Sequence, residues 1–201
     1  MLLPLCQMLL LLLMLLLLLL RLGLMLPMML LLLMLLLLTF FCSATTTGWA
    51  LGALVAALEF GEAADAHRAT YTRIYRAHCA KLASLQGADG SWTPSLLNVS
   101  GYPLGETTAT AGFVYGIGWG VNAGLLPSAS YGRVVEKGWA WLATMAQLRN
   151  GTVGYCQPGG GSPENNYGAS TTSFFCVGDF LLAASEVAVM KQRQEAAELM
   201  Q

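Results

Sequence analysis

Charge is what this sequence has least of. Its 201 residues hold ten Lys or Arg, eleven Asp or Glu and two His, so charged residues amount to 10%, against about 25% in ordinary soluble domains. A formal charge of −1 offers no basic surface for nucleic acid or for an anionic membrane. Metal-ligand spacing is missing as well. His67 and His78 lie eleven residues apart on one expected helix with no third ligand, so no metal site and no cofactor are expected. The five cysteines include no CxxC pair, and the chain has no GxGxxG, Walker A or nucleophile-elbow motif. Gly159-Gly160-Gly161 follows no strand and reads as a flexible link. Disorder is excluded too, because aromatics are plentiful and like-charge blocks are absent.

Leucine fills the place that charge leaves. It supplies 25 of the first 40 positions, where Arg21 is the single charge. Met1 to Leu20 and Leu22 to Cys42 are each about as long as a membrane-crossing helix. Three readings of this leader stand side by side. It is a signal anchor or signal peptide with small residues at Cys42-Ser43-Ala44, or a membrane hairpin turning at Arg21. Alternatively it is a translated CTG-type repeat, since Met, Pro, Gln and Arg each lie one base change from that leucine codon. The division expected is 1–42 as a hydrophobic leader, with membrane attachment and a secretory or extracellular location if it is real, and 43–201 as the globular part.

In the globular part apolar residues recur at helical spacing. The pattern predicts helices over about 48–60, 63–85, 106–122, 128–149 and 172 to the end, with long loops at 86–105 and 150–170. The first, third and fifth are poor in charge, whereas the second and fourth carry cations on one face. Charge-poor helices begin about every 60 residues, which suggests stacked helical hairpins with inner and outer members.

Several short motifs follow one another in order. They are Asp89-Gly90-Ser91-Trp92, Tyr102-Pro103, Glu106-Thr107-Thr108-Ala109-Thr110-Ala111, Gly124-Leu125-Leu126, Cys156-Gln157-Pro158 and Phe180-Leu181-Leu182-Ala183-Ala184-Ser185-Glu186. The succession resembles the C-terminal part of the unsaturated glucuronyl and rhamnogalacturonyl hydrolases, glycoside hydrolase families 88 and 105. Upstream, Gly48-Trp49-Ala50-Leu51 is similar to the end of that family's RGNGW-A-L segment.

The resemblance implies an all-α fold, part of an (α/α)6 toroid of six helical hairpins, with about two and a half hairpins here. It also implies removal of a 4,5-unsaturated uronic acid from a pectin- or glycosaminoglycan-type oligosaccharide, an Asp delivering a proton to C4 before water adds at C5. That Asp falls upstream of the RGNGW segment, where this chain has its leader, so no catalytic residue is assigned and a truncated, inactive chain is expected. The family's Arg falls at Thr45 and its Asn at Thr47. The alternative is a membrane-tethered remnant that binds carbohydrate or a partner without turnover, self-associating through bare inner-helix faces.

The residues expected to contact the sugar are Trp49, Trp92, Glu106 and Thr107. Each has a plainer reading, the tryptophans as core or loop anchor and Glu106-Thr107 as the start of a helix. Asp179 stands where the family has a small residue, and a Glu106–Asp179 acid–base pair is a further option. Asn98 and Asn150 open glycosylation sequons, and Cys156 with Cys176 is an open pairing in an oxidising lumen.

Overall fold

The computed structural model describes residues 43–158 and 162–200. The leucine leader, the expectations attached to it and the Gly159-Gly160-Gly161 link lie outside those residues. Five α-helices are described: α1 (Ala44–Phe60), α2 (Arg68–Ser84), α3 (Thr107–Asn122), α4 (Ser128–Trp141) and α5 (Phe174–Glu198). Strand pairing among the described residues is limited to isolated bridges, Ser43 with Ser95 and Gln147 with Val153. No described helix is long and apolar enough to cross a membrane.

Local chemistry sets the helix ends. α1 begins before Gly48 because the Thr47 hydroxyl donates back to the Ser43 carbonyl at 2.9 Å while Ala44 N–H bonds Pro94 O. α2 begins at Arg68, later than its apolar pattern suggests. There the Asp65 carboxylate accepts the His67 N–H at 2.8 Å, and such side-chain bonds hold the backbone in turns in place of a helix. α4 widens into a π-turn over Leu142–Ala146 and then leaves the helical path at Gln147. The apolar side chains of Ile74 and Met145 are exposed.

α3 is the axis of the described part. It holds no charged residue and is buried on nearly every side, lying between α1 and α5 and touching α4 and α2. Glycines make the close approaches possible. A Cβ on Gly112 would stand 3.4 Å from Gly48 Cα, so α1 and α3 cross almost backbone to backbone. From the outer layer, Tyr75 of α2 reaches in and donates its hydroxyl to Gly116 O at 2.6 Å. On the other flank, the Asn122 amide donates to the Glu186 side chain and carbonyl of α5, at 2.7 and 3.0 Å. Inner helices α1, α3 and α5 thus alternate with outer helices α2 and α4.

The loop between α2 and α3 is ordered by Trp92. This ring is 1% exposed, packs edge-on to Phe113 at 5.3 Å and donates its indole N–H to Leu82 O at 2.9 Å. Trp92 is therefore a core side chain with no free face for a sugar, which corrects the expectation that it lines a binding site.

Candidate functional site

The first turns of α1 and α3 meet the Gln157 loop in a hydrogen-bonded cluster. Glu106, just before α3, is 0% exposed. Its Oε1 accepts the N–H of Thr108 at 3.0 Å and of Gln157 at 3.1 Å, and its Oε2 accepts Ala109 N–H at 2.7 Å and the Thr45 hydroxyl at 3.3 Å. Gln157 completes the ring by donating its amide to Thr45 Oγ1 at 2.7 Å. The loop is held against this cluster from both sides. Thr107 donates its hydroxyl to Gly154 O at 2.7 Å and its N–H to Tyr155 O at 3.0 Å. Cys156, adjacent to Gln157, is disulfide-bonded to Cys176 in the first turn of α5.

This geometry corrects two expectations. Glu106 and Thr107 are both fully buried, with their side chains committed to protein partners. A carboxylate with four donors at a helix N-terminus is a cap and a hub, and a substrate has no access to it. Burial raises the Glu106 pKa, and the N–H bonds it accepts from Ala109, Gln157 and Thr108 oppose that rise.

A second group faces outward beside the cluster. Trp49 on α1 is 47% exposed, and its ring centroid lies 5.7 Å from that of Phe175 on α5. Phe175 is 52% exposed and stacks at 3.9 Å on Phe174, itself 78% exposed. Asp179 lies one turn further along α5. Its Oδ2 is enclosed and has no donor. Burial, reinforced by the charge of Glu106, pushes the Asp179 carboxyl up to about 6, and the nearby Trp49 side chain acts the other way.

The structure thus brings Trp49 to an accessible face, sets Asp179 within electrostatic reach of Glu106 and buries the Trp92 ring in the core, its carbonyl accepting the Glu106 N–H at 2.9 Å. It adds Phe174 and Phe175, which sequence reasoning left out. Two adjacent Phe at a helix start cannot both point inward, and that was the available signal. Asn98 and Asn150 are exposed at turns. The Asn98 side chain accepts Gly101 N–H at 3.2 Å and the Asn150 side chain accepts Thr152 N–H at 3.0 Å.

Residues 44–191 match the family model described as Glycosyl Hydrolase Family 88. The chain is 36% identical over 147 residues to an unsaturated 3S-rhamnoglycuronyl hydrolase of Formosa agariphila, covering 72% of this chain and 38% of that protein. A protein of the same description from an Alteromonas species is 32% identical over 142 residues, covering 71% of this chain and 34% of its own length. Among solved structures, a glycosyl hydrolase family 88 protein from Bacteroides vulgatus superposes with a TM-score of 0.69 at 36% identity, covering 74% of this chain and 43% of that one. The chain therefore spans less than half the length of these relatives. The helices described are part of a six-hairpin (α/α)6 toroid.

Proposed function

This chain belongs to glycosyl hydrolase family 88, and from that premise we propose that it serves the removal of a 4,5-unsaturated uronic acid from an oligosaccharide of pectin or glycosaminoglycan type. In that chemistry a proton is added at C4 of the vinyl ether and the hydroxide of water at C5. The hemiketal so formed opens and frees the rest of the sugar. The observation that carries the reading is the exposed Trp49 face on an inner helix, backed by the buried Glu106–Thr45–Gln157 cluster. An aromatic face fixed by a rigid polar base is what a sugar ring requires of its site. The position at which the resemblance sets the proton-delivering Asp falls outside the described residues.

The test uses the purified full chain and an unsaturated disaccharide. Hydrolysis removes the ultraviolet absorbance of the conjugated C4–C5 double bond. An absorbance that stays constant while the disaccharide binds turns the reading to its alternative, binding without turnover. One observation favours that alternative: Thr45 stands where the family motif has an Arg.

Location belongs to the same proposal. The Cys156–Cys176 disulfide and the two exposed sequons support passage through an oxidising compartment, and the leucine leader supports membrane attachment. Mobility shifts on glycosidase treatment and resistance of the membrane-bound fraction to alkaline carbonate extraction test these two points.

A further inference from the structure

The outer helix α2 carries Arg68, Arg73, Arg76 and Lys81 and no carboxylate of its own. Arg76 is turned to the end of α3, where its Nε donates to Leu125 O at 3.1 Å. Arg73 and Lys81 instead border a groove between α2 and the loop that follows it. The groove measures about 450 Å³, within the range of clefts that take small molecules. Ile74, His78, Lys81 and Leu85 line it from one face of α2, so it is elongated, about 16 Å by the rise of the helix. Leu82 and Leu96 reach it from the buried core, while Ile74 and Leu97 remain 42% and 65% exposed at its edges. No acid lines it. Burial lowers the His78 pKa, so that imidazole is uncharged at neutral pH and Arg73 and Lys81 supply the charge. None of the lining residues belongs to the Glu106–Thr45–Gln157 cluster or presents the Trp49 ring.

Shape and charge together select a class of ligand. A long aliphatic lining without an aromatic face suits an alkyl chain and offers little to a sugar ring. Two cations with no acid beside them attract an anionic head group through charge-assisted hydrogen bonds and repel a cationic one. We infer that this groove binds a single-chain amphiphile with an anionic head group, its alkyl chain along Ile74, Leu82, Leu96 and Leu97 and its head group held by Arg73 and Lys81. The ligand is a free molecule, and no bond is made or broken in it. This site is separate from the one assigned to the oligosaccharide, so either reading can fail without the other.

Titration calorimetry of the full chain with decanoate, kept below its micelle concentration at neutral pH, tests the inference. Saturable binding of one decanoate per chain is expected. Octanoate, with two fewer methylenes to bury, should bind about tenfold more weakly. 1-Decanol, which keeps the chain and lacks the charge, should bind about fivefold more weakly than decanoate. The double variant Arg73→Gln/Lys81→Gln should bring decanoate and decanol within about twofold of each other. Leu97→Glu, at an exposed position, sets a like charge in the groove and should weaken decanoate about tenfold or more. Circular dichroism verifies that the variants, all at exposed positions, retain their helices. Decanoate that does not saturate, equal affinity of the wild type for decanoate and decanol, or an affinity that both variants leave unchanged would each overturn the inference. The last result would place the amphiphile on another apolar surface of the chain. Absence of decanoate binding together with self-associated species that Leu97→Glu disperses would also overturn it, and would give the groove to a second copy of the chain.

Discussion

Glu106 and Asp179 are both carboxylates of the inner layer, yet they stand in opposite situations. Glu106 has a donor for each of its four strong acceptor positions. Glu106→Ala removes a helix cap and strands buried donors from Thr45 and Gln157, so a loss of about 3 kcal/mol is expected in denaturant titrations. Asp179 has an enclosed oxygen without a donor and a carboxyl raised from 3.8 to about 6. The folded state therefore binds the proton more tightly than the unfolded chain. Its contribution is favourable at low pH and is lost as pH rises through about 6. Asp179→Asn should then stabilise the protein near neutral pH by about 1 to 2 kcal/mol, a figure reduced for partial exposure, and this gain should vanish near pH 4. Thermal melts of both proteins across that range check the sign. Trp49 as a candidate contact was legible in the sequence because a motif singled it out. The burial of Trp92 was not, since a loop tryptophan looks alike whether it anchors the core or faces solvent.

At the scale of elements, α3 shows how small residues set helix spacing. Gly120 lies so close to Tyr75 of α2 that a Cβ there would collide with the Tyr75 hydroxyl. That hydroxyl is already tied to Gly116 O. Gly120→Ala is expected to cost about 1 to 3 kcal/mol through overpacking, in spite of the better helix propensity of alanine. The Gly48–Gly112 crossing lets α1 approach, and so places Trp49 on the face it shares with α5. All five helices were readable from apolar spacing, and the charge-poor ones proved to be the inner ones. Their ends were less readable. The Asp65 turn delays α2, and the π-turn after Trp141 shortens α4. Each depends on a local hydrogen-bond competition that apolar periodicity does not record.

At the scale of the whole molecule, the disulfide joins the Gln157 loop to α5 across a separation of 20 residues. Replacing Cys156 and Cys176 together by Ser should cost about 3 kcal/mol in guanidinium unfolding, most of it through the freed unfolded chain. The same change should loosen Gln157 beneath Glu106. Exposed apolar side chains occur on both flanks of the described part, among them Phe60, Phe174, Leu181 and Leu182. An apolar surface of this kind drives association, so sedimentation velocity is expected to show self-associated species that shift with protein concentration; a single monomer at all concentrations would contradict that expectation. The sequence alone determined the class of fold and the family, because helical periodicity and ordered short motifs are local properties of a chain. Which acids are committed to caps, which tryptophan is accessible and which aromatics gather at Asp179 depend on helices brought together from more than a hundred residues apart. Tertiary packing decided these, since burial and electrostatic surroundings exist only once the inner helices have closed on α3.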